Sequence, residues 1–524
     1  MAELAARLAD EPRRLDELVA GDLAVRPVVA AALRERPAPE RTLLRLLAMF
    51  GVAVPDWAVT ALLECSLAEA RDRLDALADG HLLAAAGDTR YAVPEFTRLV
   101  LAEQPEADRG AVRRVLELTL VLATHARGAR PIDSCVDPDV LRRVKDDPVR
   151  WARAETAFMA AAVRLSGAHG WSDLTERLAD ACTALAGTPW LGRAAHEVSV
   201  LGLVAARRRR DPAGEAAKLF NVGSMHWQHG RWRQARSYFV MAESRYRELG
   251  DPASTGAVLC ALADVHVDGG DPRAAERELR EAMALLRECD DRRGQAAAAA
   301  QYGSLAEDLG DLRRAEESFK ASMLLAQACD DSRGQDQTAK RYADVLRRQG
   351  RTDQAANLLA DALGGAVRTR ERHWEAHVLR SLGDLHADAG DVVDGEYLLS
   401  RSLEMFEQIG HRHAAAYTHR SLAEARRRVG DAEGAERHLH AAMGVFRELR
   451  DRRGAGYALL SLGRMHAAGG ASREATQALR MSADLFRELG FPLWELRALH
   501  DLNAATSDSP ERARAREILT KIKP

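Results

Sequence analysis

Lysine is almost missing from this chain: six residues, against 69 arginines. None of the six follows a glycine, so the G-x-x-x-x-G-K-[ST] loop that cradles nucleotide phosphates does not occur. Cysteine is as scarce, six in 524 residues, without CxxC or any other metal-like spacing. That excludes a disulfide framework and suits a reducing cytoplasm, the expected location. Aromatics are 5% of residues, too few for a core of large rings, and no apolar run approaches a membrane span. The N-terminus lacks the basic-then-apolar pattern of a secretory signal. A formal net charge of −3 builds in no attraction to nucleic acid or membrane. The excess of Arg and Ala reads as the coding bias of a GC-rich bacterial genome. What remains is Ala and Leu, the material of closely packed helices, in a chain too long for one core.

What is there is a repeat. From residue 211 the chain returns on itself every 40 residues, at Gly230, Gly270, Gly310, Gly350, Gly390, Gly430 and Gly470. Seven residues before each stands Gly or Ala (Gly223, Ala263, Gly303, Ala343, Gly383, Ala423, Gly463). Nine after each stands a large apolar residue: Phe239, Leu279, Phe319, Leu359, Leu399, Leu439, Leu479. Further small residues fall five and twelve after. Glycine ends one helix because it takes the left-handed conformation without a Cβ clash. Small residues let two helices approach, and the large residue fills the gap beside them. No pair buries its apolar face alone, so neighbours must stack. An eighth unit keeps the register at Leu502, Ala515 and Leu519, with Ser509-Pro510 as a helix start in place of the turn glycine. The stretch "DRRGQAAAAAQYGSLAEDLGDLRRAEESFKASM" (291–323) resembles the tetratricopeptide family in its 40-residue form. Membership implies a right-handed superhelix whose concave face, lined by first helices, binds peptides, proteins or small ligands.

The front is different. "PERTLLRLLAMF", "PDWAVTALLE" and "SLAEARDRLDALADG" read as three helices, the last with Ser66 and Glu69 as a capping box. "HLLAAAGDTRYAV" reads as two short strands around Gly87-Asp88, and a helix follows Pro94. Three helices, a hairpin and a closing helix make a winged helix. Its third helix carries Glu69, Asp72, Asp75 and Asp79 against Arg71 and Arg73, a poor reader of phosphate-lined grooves. A structural role is expected, with no direct nucleic-acid binding. The predicted architecture is therefore mainly α: residues 1–39 a helical segment, 40–104 a winged helix, 105–210 linker helices and degenerate repeats, 211–524 eight tetratricopeptide repeats with a C-terminal cap.

"LAARLADEPRRLDELVAGDLAVRPVVAAALRERPAPERTLLRLLAMFGVAVPDWAVTALLECSLAEARDRLDALADGHLL", continued by "RYAVPEFTRLVLAEQ" and "RWARAETAFMAAAVRL", resembles the segment after the nucleotide-binding core in NB-ARC-type signal-transducing ATPases. More narrowly it is similar to the large regulators of the antibiotic regulatory protein (SARP) family. There a winged helix leads into tetratricopeptide repeats, and a His-Asp pair opens the last helix of the wing, its His on the bound nucleotide's phosphate. Pro94 and Glu95 stand at those positions here. Proline has no side-chain donor and no backbone N–H, so that contact cannot be made. The expectation is a chain without ATP binding, either a piece of a longer regulator or a protein that has lost its ATPase.

Several side chains invite chemistry. His373 and His377 are i,i+4 on one face and His413 lies one repeat on, but no HExxH or carboxylate partner accompanies them, so a solvated face is favoured over a metal site. His226, His266, His386 and His466 share one repeat position and read as packing residues. Cys289 and Cys329 read as small hydrophobes at the ends of second helices. "RRRR" (207–210) and "RRR" (426–428) sit near helix C-termini, where cations complement the dipole.

By the family pattern, the inward positions are one and four after each small first-helix residue and three and six before it. They select Phe220, Trp227, Cys260 and Asp264 in the early repeats. In repeats 4 to 7 they select Lys340, Asp344, Arg347, His377, Arg380, Asp384, Tyr417, Arg420, Glu424, Arg427, Tyr457 and Arg464. The later half is Arg-rich and charged, the early half more apolar. That surface is the expected partner-binding groove, for an acidic or mixed-charge protein or peptide, or a small effector, with homo-oligomer formation left open. No catalytic, cofactor-binding or metal residue is assigned. The functional expectation is a non-catalytic sensor of the SARP-like regulator type, the alternative a stand-alone tetratricopeptide adaptor. An enzyme on a helical-repeat scaffold is the remote third, whose sign would be an enclosed polar pocket with convergent titratable groups.

Overall fold

The computed structural model describes residues 19–20, 23–87, 89–102, 108–126, 136–185, 192–228, 231–369, 371–505 and 511–522. Most of the expected segment 1–39, together with Asp88, Trp190, Gly230 and Ser509-Pro510, lies outside them. The chain divides into two compact units, Met1–Lys218 and Leu219–Pro524.

In the first unit, strands β1 (Val19–Ala20) and β2 (Leu23–Ala24) pair antiparallel ahead of helix α1 (Val25–Arg34). Then come α2 (Ala38–Ala48), β3 (Val54–Pro55), α3 (Asp56–Leu63), α4 (Leu67–Asp79), β4 (Ala84–Ala85), β5 (Arg90–Ala92) and α5 (Glu95–Ala102). The sheet order is β3-β5-β4, antiparallel throughout. The hairpin forms where it was expected. β3 was not foreseen, because two residues ending in proline carry no alternation to detect. The capping box is present: Ser66 Oγ accepts from Glu69 N at 3.3 Å, and the Ser66 N–H donates to Glu69 Oε2 at 3.0 Å. Pro94 stands just outside α5, its carbonyl accepting from Arg98 N at 2.9 Å.

The core of this unit gathers Leu43, Leu44, Trp57, Leu74 and Leu77, all at most 2% exposed. Around it run α6 (Arg109–Ala126), α7 (Pro138–Asp146), α8 (Pro148–Ala168), α9 (Ser172–Leu185) and α10 (Gly192–Arg209). Two carboxylates are buried at the joints. Asp56, at the start of α3, takes Arg71 of α4 at 2.8 Å and Arg143 of α7 at 3.1 Å. Glu155 of α8 takes Arg90 of β5 at 2.7 Å and accepts from the Trp57 indole at 3.2 Å. Burial raises both acids' pKa values despite the cations. Within α4, Arg71 is committed to Asp56, and Asp75 accepts the Tyr91 hydroxyl at 2.6 Å.

The second unit is the array; the boundary between units falls inside its opening helix. First helices are α11 (Pro212–Gln228), α13 (Pro252–Gly269), α15 (Arg292–Leu309), α17 (Ser332–Arg348), α19 (Arg372–Ala389), α21 (Arg412–Arg428), α23 (Arg452–Ala468) and α25 (Pro492–Ala505). They alternate with second helices α12 (Trp232–Glu248), α14 (Pro272–Glu288), α16 (Leu312–Ala328), α18 (Thr352–Arg368), α20 (Val392–Ile409), α22 (Ala432–Glu448), α24 (Ser472–Glu488) and α26 (Arg512–Ile522). This is paired tetratricopeptide-type packing, mainly α as expected. Asp251, Asp291, Asp331 and Asp451 cap first helices by accepting a backbone N–H three residues on.

The small-large pattern now has a cause. A Cβ on Gly303 would sit 2.9 Å from the Phe319 ring, and one on Gly223 2.7 Å from Phe239. The large residue of the second helix lies directly on the small residue of the first, and Phe occurs at that place only opposite Gly. In alternate repeats the second helix adds a buried hydrogen bond. Ser322, Ser402 and Ser482 donate to Ala296, Ala376 and Gly456 carbonyls at 2.7, 2.8 and 2.9 Å.

The array curls until its late end meets its early one. The Trp494 indole of α25 donates to Asp308 of α15 at 3.2 Å, and Arg453 of α23 pairs with the same carboxylate at 3.1 Å. At Gly270, just beyond α13, a Cβ would stand 3.0 Å from the Glu488 carbonyl of α24. The concave side is therefore not an open trough. The chain's own helices close it across the seam between repeats 2–3 and 7–8.

Candidate functional site

First helices turn their inner faces toward one another, and what they leave between them is a cavity of about 340 Å³. Its wall is polar. Six guanidiniums line it (Arg341, Arg347, Arg348, Arg380, Arg420, Arg453), facing five carboxylates (Asp264, Glu307, Asp308, Asp344, Asp384). Tyr417, Tyr457 and Trp494 supply flat faces. The volume is near the lower end of the range for small-molecule sites.

The charges are unevenly satisfied. Arg348 pairs with Glu307, and Arg453 with Asp308. Arg347 turns outward to Asp388. Arg380 stands 3.9 Å from Asp384, a loose pair. Asp344 is held from behind by Lys340 at 2.6 Å; burial works against its charge, but Lys340, Arg347 and Arg380 keep its pKa low. Arg341 approaches Ser304 Oγ at 3.5 Å, and Arg420 lies over the Tyr457 ring at 5.9 Å. Among the described residues neither has a carboxylate within ion-pair distance. Asp264 accepts from Gln301 Nε2 at 3.1 Å. Burial, helped by neighbouring Asp268, raises its pKa to about 7. Trp494 carries Arg348 over its ring at 4.9 Å and Arg497 at 4.6 Å.

Eight of the groove residues picked from sequence line this cavity: Asp264, Asp344, Arg347, Arg380, Asp384, Tyr417, Arg420 and Tyr457. The other eight do not. Lys340 is buried behind Asp344. Glu424 pairs with Arg427 at 2.9 Å, and Arg464 with Asp501 at 2.6 Å. Trp227 donates to Asp268 at 2.9 Å, Phe220 packs on Phe239 at 5.5 Å between ring centroids, and His377 belongs to a histidine cluster. Cys260 is buried.

Sequence reasoning missed Gln301, Asp308, Arg341, Arg348, Arg453 and Trp494. Four of these stand two before or five after the small residue of their repeat. They belong to the same helix face, one step wider than the positions chosen, and the third repeat was passed over although its Ser304 and Glu307 obey the rule used.

The histidines group differently from the expectation. His411, not His413, joins His373 and His377: the three offer ligand atoms within 4.8 Å of one another. His413 instead meets Asp451 at 2.8 Å, which also accepts from the Tyr417 hydroxyl at 2.9 Å. His411 Nδ1 accepts the Ala414 N–H at 3.1 Å, which leaves the proton on Nε2. Burial lowers all three pKa values, that of His411 to about 4. The surrounding charges are Arg333, Lys340 and Arg380, the wrong sign for a cation. His226 stacks on Tyr238 at 5.3 Å, a packing role. Cys289 and Cys329 point Sγ at Leu286 and Ala326 carbonyls within their own helices. No helix among the described residues is long and apolar enough to cross a membrane.

A tetratricopeptide-repeat family model matches residues 215–288. Regulatory protein AfsR of Streptomyces griseus is 29% identical over 258 residues, 46% of this chain and 26% of that protein. AfsR of Streptomyces coelicolor is 33% identical over 182 residues, 31% of this chain and 18% of that protein. The chain thus spans about a quarter or less of the curated relatives it matches. Among solved structures, a signal-transduction ATPase with a tetratricopeptide sensor from Pyrococcus horikoshii aligns over 99% of this chain and 68% of its own, at 14% identity and TM-score 0.41. A Rap protein complexed with competence and sporulation factor aligns over 71% and 97%, at 13% identity and TM-score 0.43.

Proposed function

We propose that this chain is a non-catalytic regulatory module that senses a small effector in the cavity inside its repeat array. One observation carries the reading: the inner faces of the first helices converge on a polar space of about 340 Å³ in place of an open groove. That space suits a metabolite, or the tip of an extended peptide, and not a folded partner. An occupant would touch most of the array at once, so binding would tighten the curl of the superhelix and alter the outer surface that a protein partner meets. The partial likeness to AfsR, a regulatory protein, supports a role in signal transduction of the SARP type rather than a general adaptor.

A second reading has an observation behind it. The cavity is the polar pocket with convergent titratable groups that an enzyme would present, and Asp264, with its pKa near 7, is poised as a general acid or base. Against it, no metal set or phosphate loop accompanies Asp264 among the described residues of the wall, and the Ser304 hydroxyl there meets Arg341, not a base.

One experiment separates them. The purified chain is incubated with small-molecule extract of its native host, and bound species are read by native mass spectrometry. A regulator returns its ligand unchanged and unfolds at a higher temperature with it. Turnover of the ligand would establish the enzyme. Failure to retain any small molecule, with a folded array, would end the cavity reading.

A further inference from the structure

The cavity wall is not charge-neutral, and its surplus has a direction. Of six lining guanidiniums, Arg348 and Arg453 have close carboxylates on the wall. Arg341 and Arg420 have none within ion-pair distance among the described residues, their contacts being a serine hydroxyl at 3.5 Å and an aromatic face at 5.9 Å. The Nε atoms of Arg347, Arg380 and Arg420 are buried without an acceptor. Of the acids on the same wall, Asp344 is held by Lys340 at 2.6 Å, and Asp264 accepts from Gln301 at 3.1 Å. Arg341 is exposed and lines the cavity. Guanidiniums on the wall with no acid paired to them are what an acceptor-only ligand needs.

We propose that the cavity binds a small oxyanion, an organic carboxylate or a phosphate, with Arg341 and Arg420 as its principal partners. The proposal rests on the cavity being the ligand site. Guanidinium forks match the paired oxygens of a carboxylate or phosphate, which a lysine ammonium does not. Transfer of such an anion from water is compensated because it supplies the acceptors now missing. The flat faces of Tyr457 and Trp494 leave room for an apolar or planar remainder, so an organic anion fits the wall better than a bare one.

The test uses the full chain and two probes, inorganic phosphate and citrate, against sodium chloride at matched ionic strength. Thermal unfolding and titration calorimetry are the readouts, on wild type and on Arg341→Gln with Arg420→Gln. The expected result is a raised melting temperature and saturable heat with at least one oxyanion and not with chloride. The double variant, still folded by circular dichroism, should bind at least about tenfold more weakly, equivalent to one decade in Kd. Citrate alone would assign a carboxylate and phosphate alone a phosphoryl group; either supports the proposal. No stabilisation beyond chloride, or undiminished binding by the double variant, overturns it. Should native mass spectrometry of the host extract then recover a neutral or cationic ligand, the sensor reading survives without the oxyanion. Recovery of nothing removes both.

Discussion

The two units handle buried charge in opposite ways. In the first, Asp56 is fully buried with two arginines on it, and Glu155 nearly so with an arginine and an indole. Each acid joins elements far apart in sequence. In the array, arginines crowd a common space, and two have no acid within ion-pair distance among the described residues. A buried pair that is complete fixes geometry; it adds little net stability, as the raised pKa values of both acids show. A guanidinium on a solvent-reached wall with no acid beside it fixes nothing, and water or a ligand must supply its acceptors. The contrast separates charge that assembles the fold from charge held for a ligand.

The largest effect should come from breaking a complete pair. Glu155→Ala strips Arg90 and the Trp57 indole of their partner between α8 and the wing. The expected loss is about 3–5 kcal/mol, read by urea unfolding, with amide exchange rising first across 54–92. A loss below about 1 kcal/mol would mean the joint is not an anchor. Asp308→Ala comes next. It removes the acceptor shared by Arg453 and Trp494 at the seam of the array. About 2–4 kcal/mol should be lost, and the hydrodynamic radius should grow as the curl opens. An unchanged radius would mean the ends hold without this contact.

These residues also mark how far the sequence could be read. The repeat was legible because a 40-residue period forces the same small-large contact seven times; Gly303 under Phe319 is one contact seen at residue level. The capping box and the hairpin were legible from Ser66, Glu69 and the turn before Pro94. Closure of the array was not. It depends on a small rotation accumulated over six repeats, and no local pattern encodes the angle. Asp308 and Trp494 are 186 positions apart and carry no shared motif. For the same reason only half of the groove positions fell on the cavity wall: the face was right, but only closure decides which step of that face meets another helix. His411 was missed because a residue before the helix was not expected to reach back over His373.

A smaller effect probes the cavity from its acidic side. Asp264 faces Asp268 on its own helix, Gln301 on α15, Arg341 on α17 and Arg453 on α23. Its folded pKa, about 7, lies above the ordinary 3.8. A raised carboxyl contributes stability that is complete below about pH 4 and is lost as pH rises through 7. The array should therefore melt lower at pH 8 than at pH 5.5 through this group. Asp264→Asn should flatten that slope and gain roughly 1–2 kcal/mol at pH 8, a figure reduced for the side chain's partial access to solvent. An unaltered pH profile in the variant would assign the titration elsewhere.

The smallest stability effect is the sharpest test of the comparison, because its sign is unusual. Arg420→Met removes a guanidinium that no carboxylate on the wall needs, with its cation–π contact to Tyr457, and keeps an apolar stem. If that charge is surplus, the array should be unchanged or more stable by up to about 1 kcal/mol. The control is Arg453→Met, the same chemistry at a position with a partner, which should cost about 2–4 kcal/mol by leaving Asp308 with the Trp494 indole but no counter-charge. Equal losses at both positions would mean Arg420 is as structural as Arg453. A gain at Arg420 together with weaker oxyanion binding would identify a residue kept against the fold's own interest, which is the signature expected of a ligand contact.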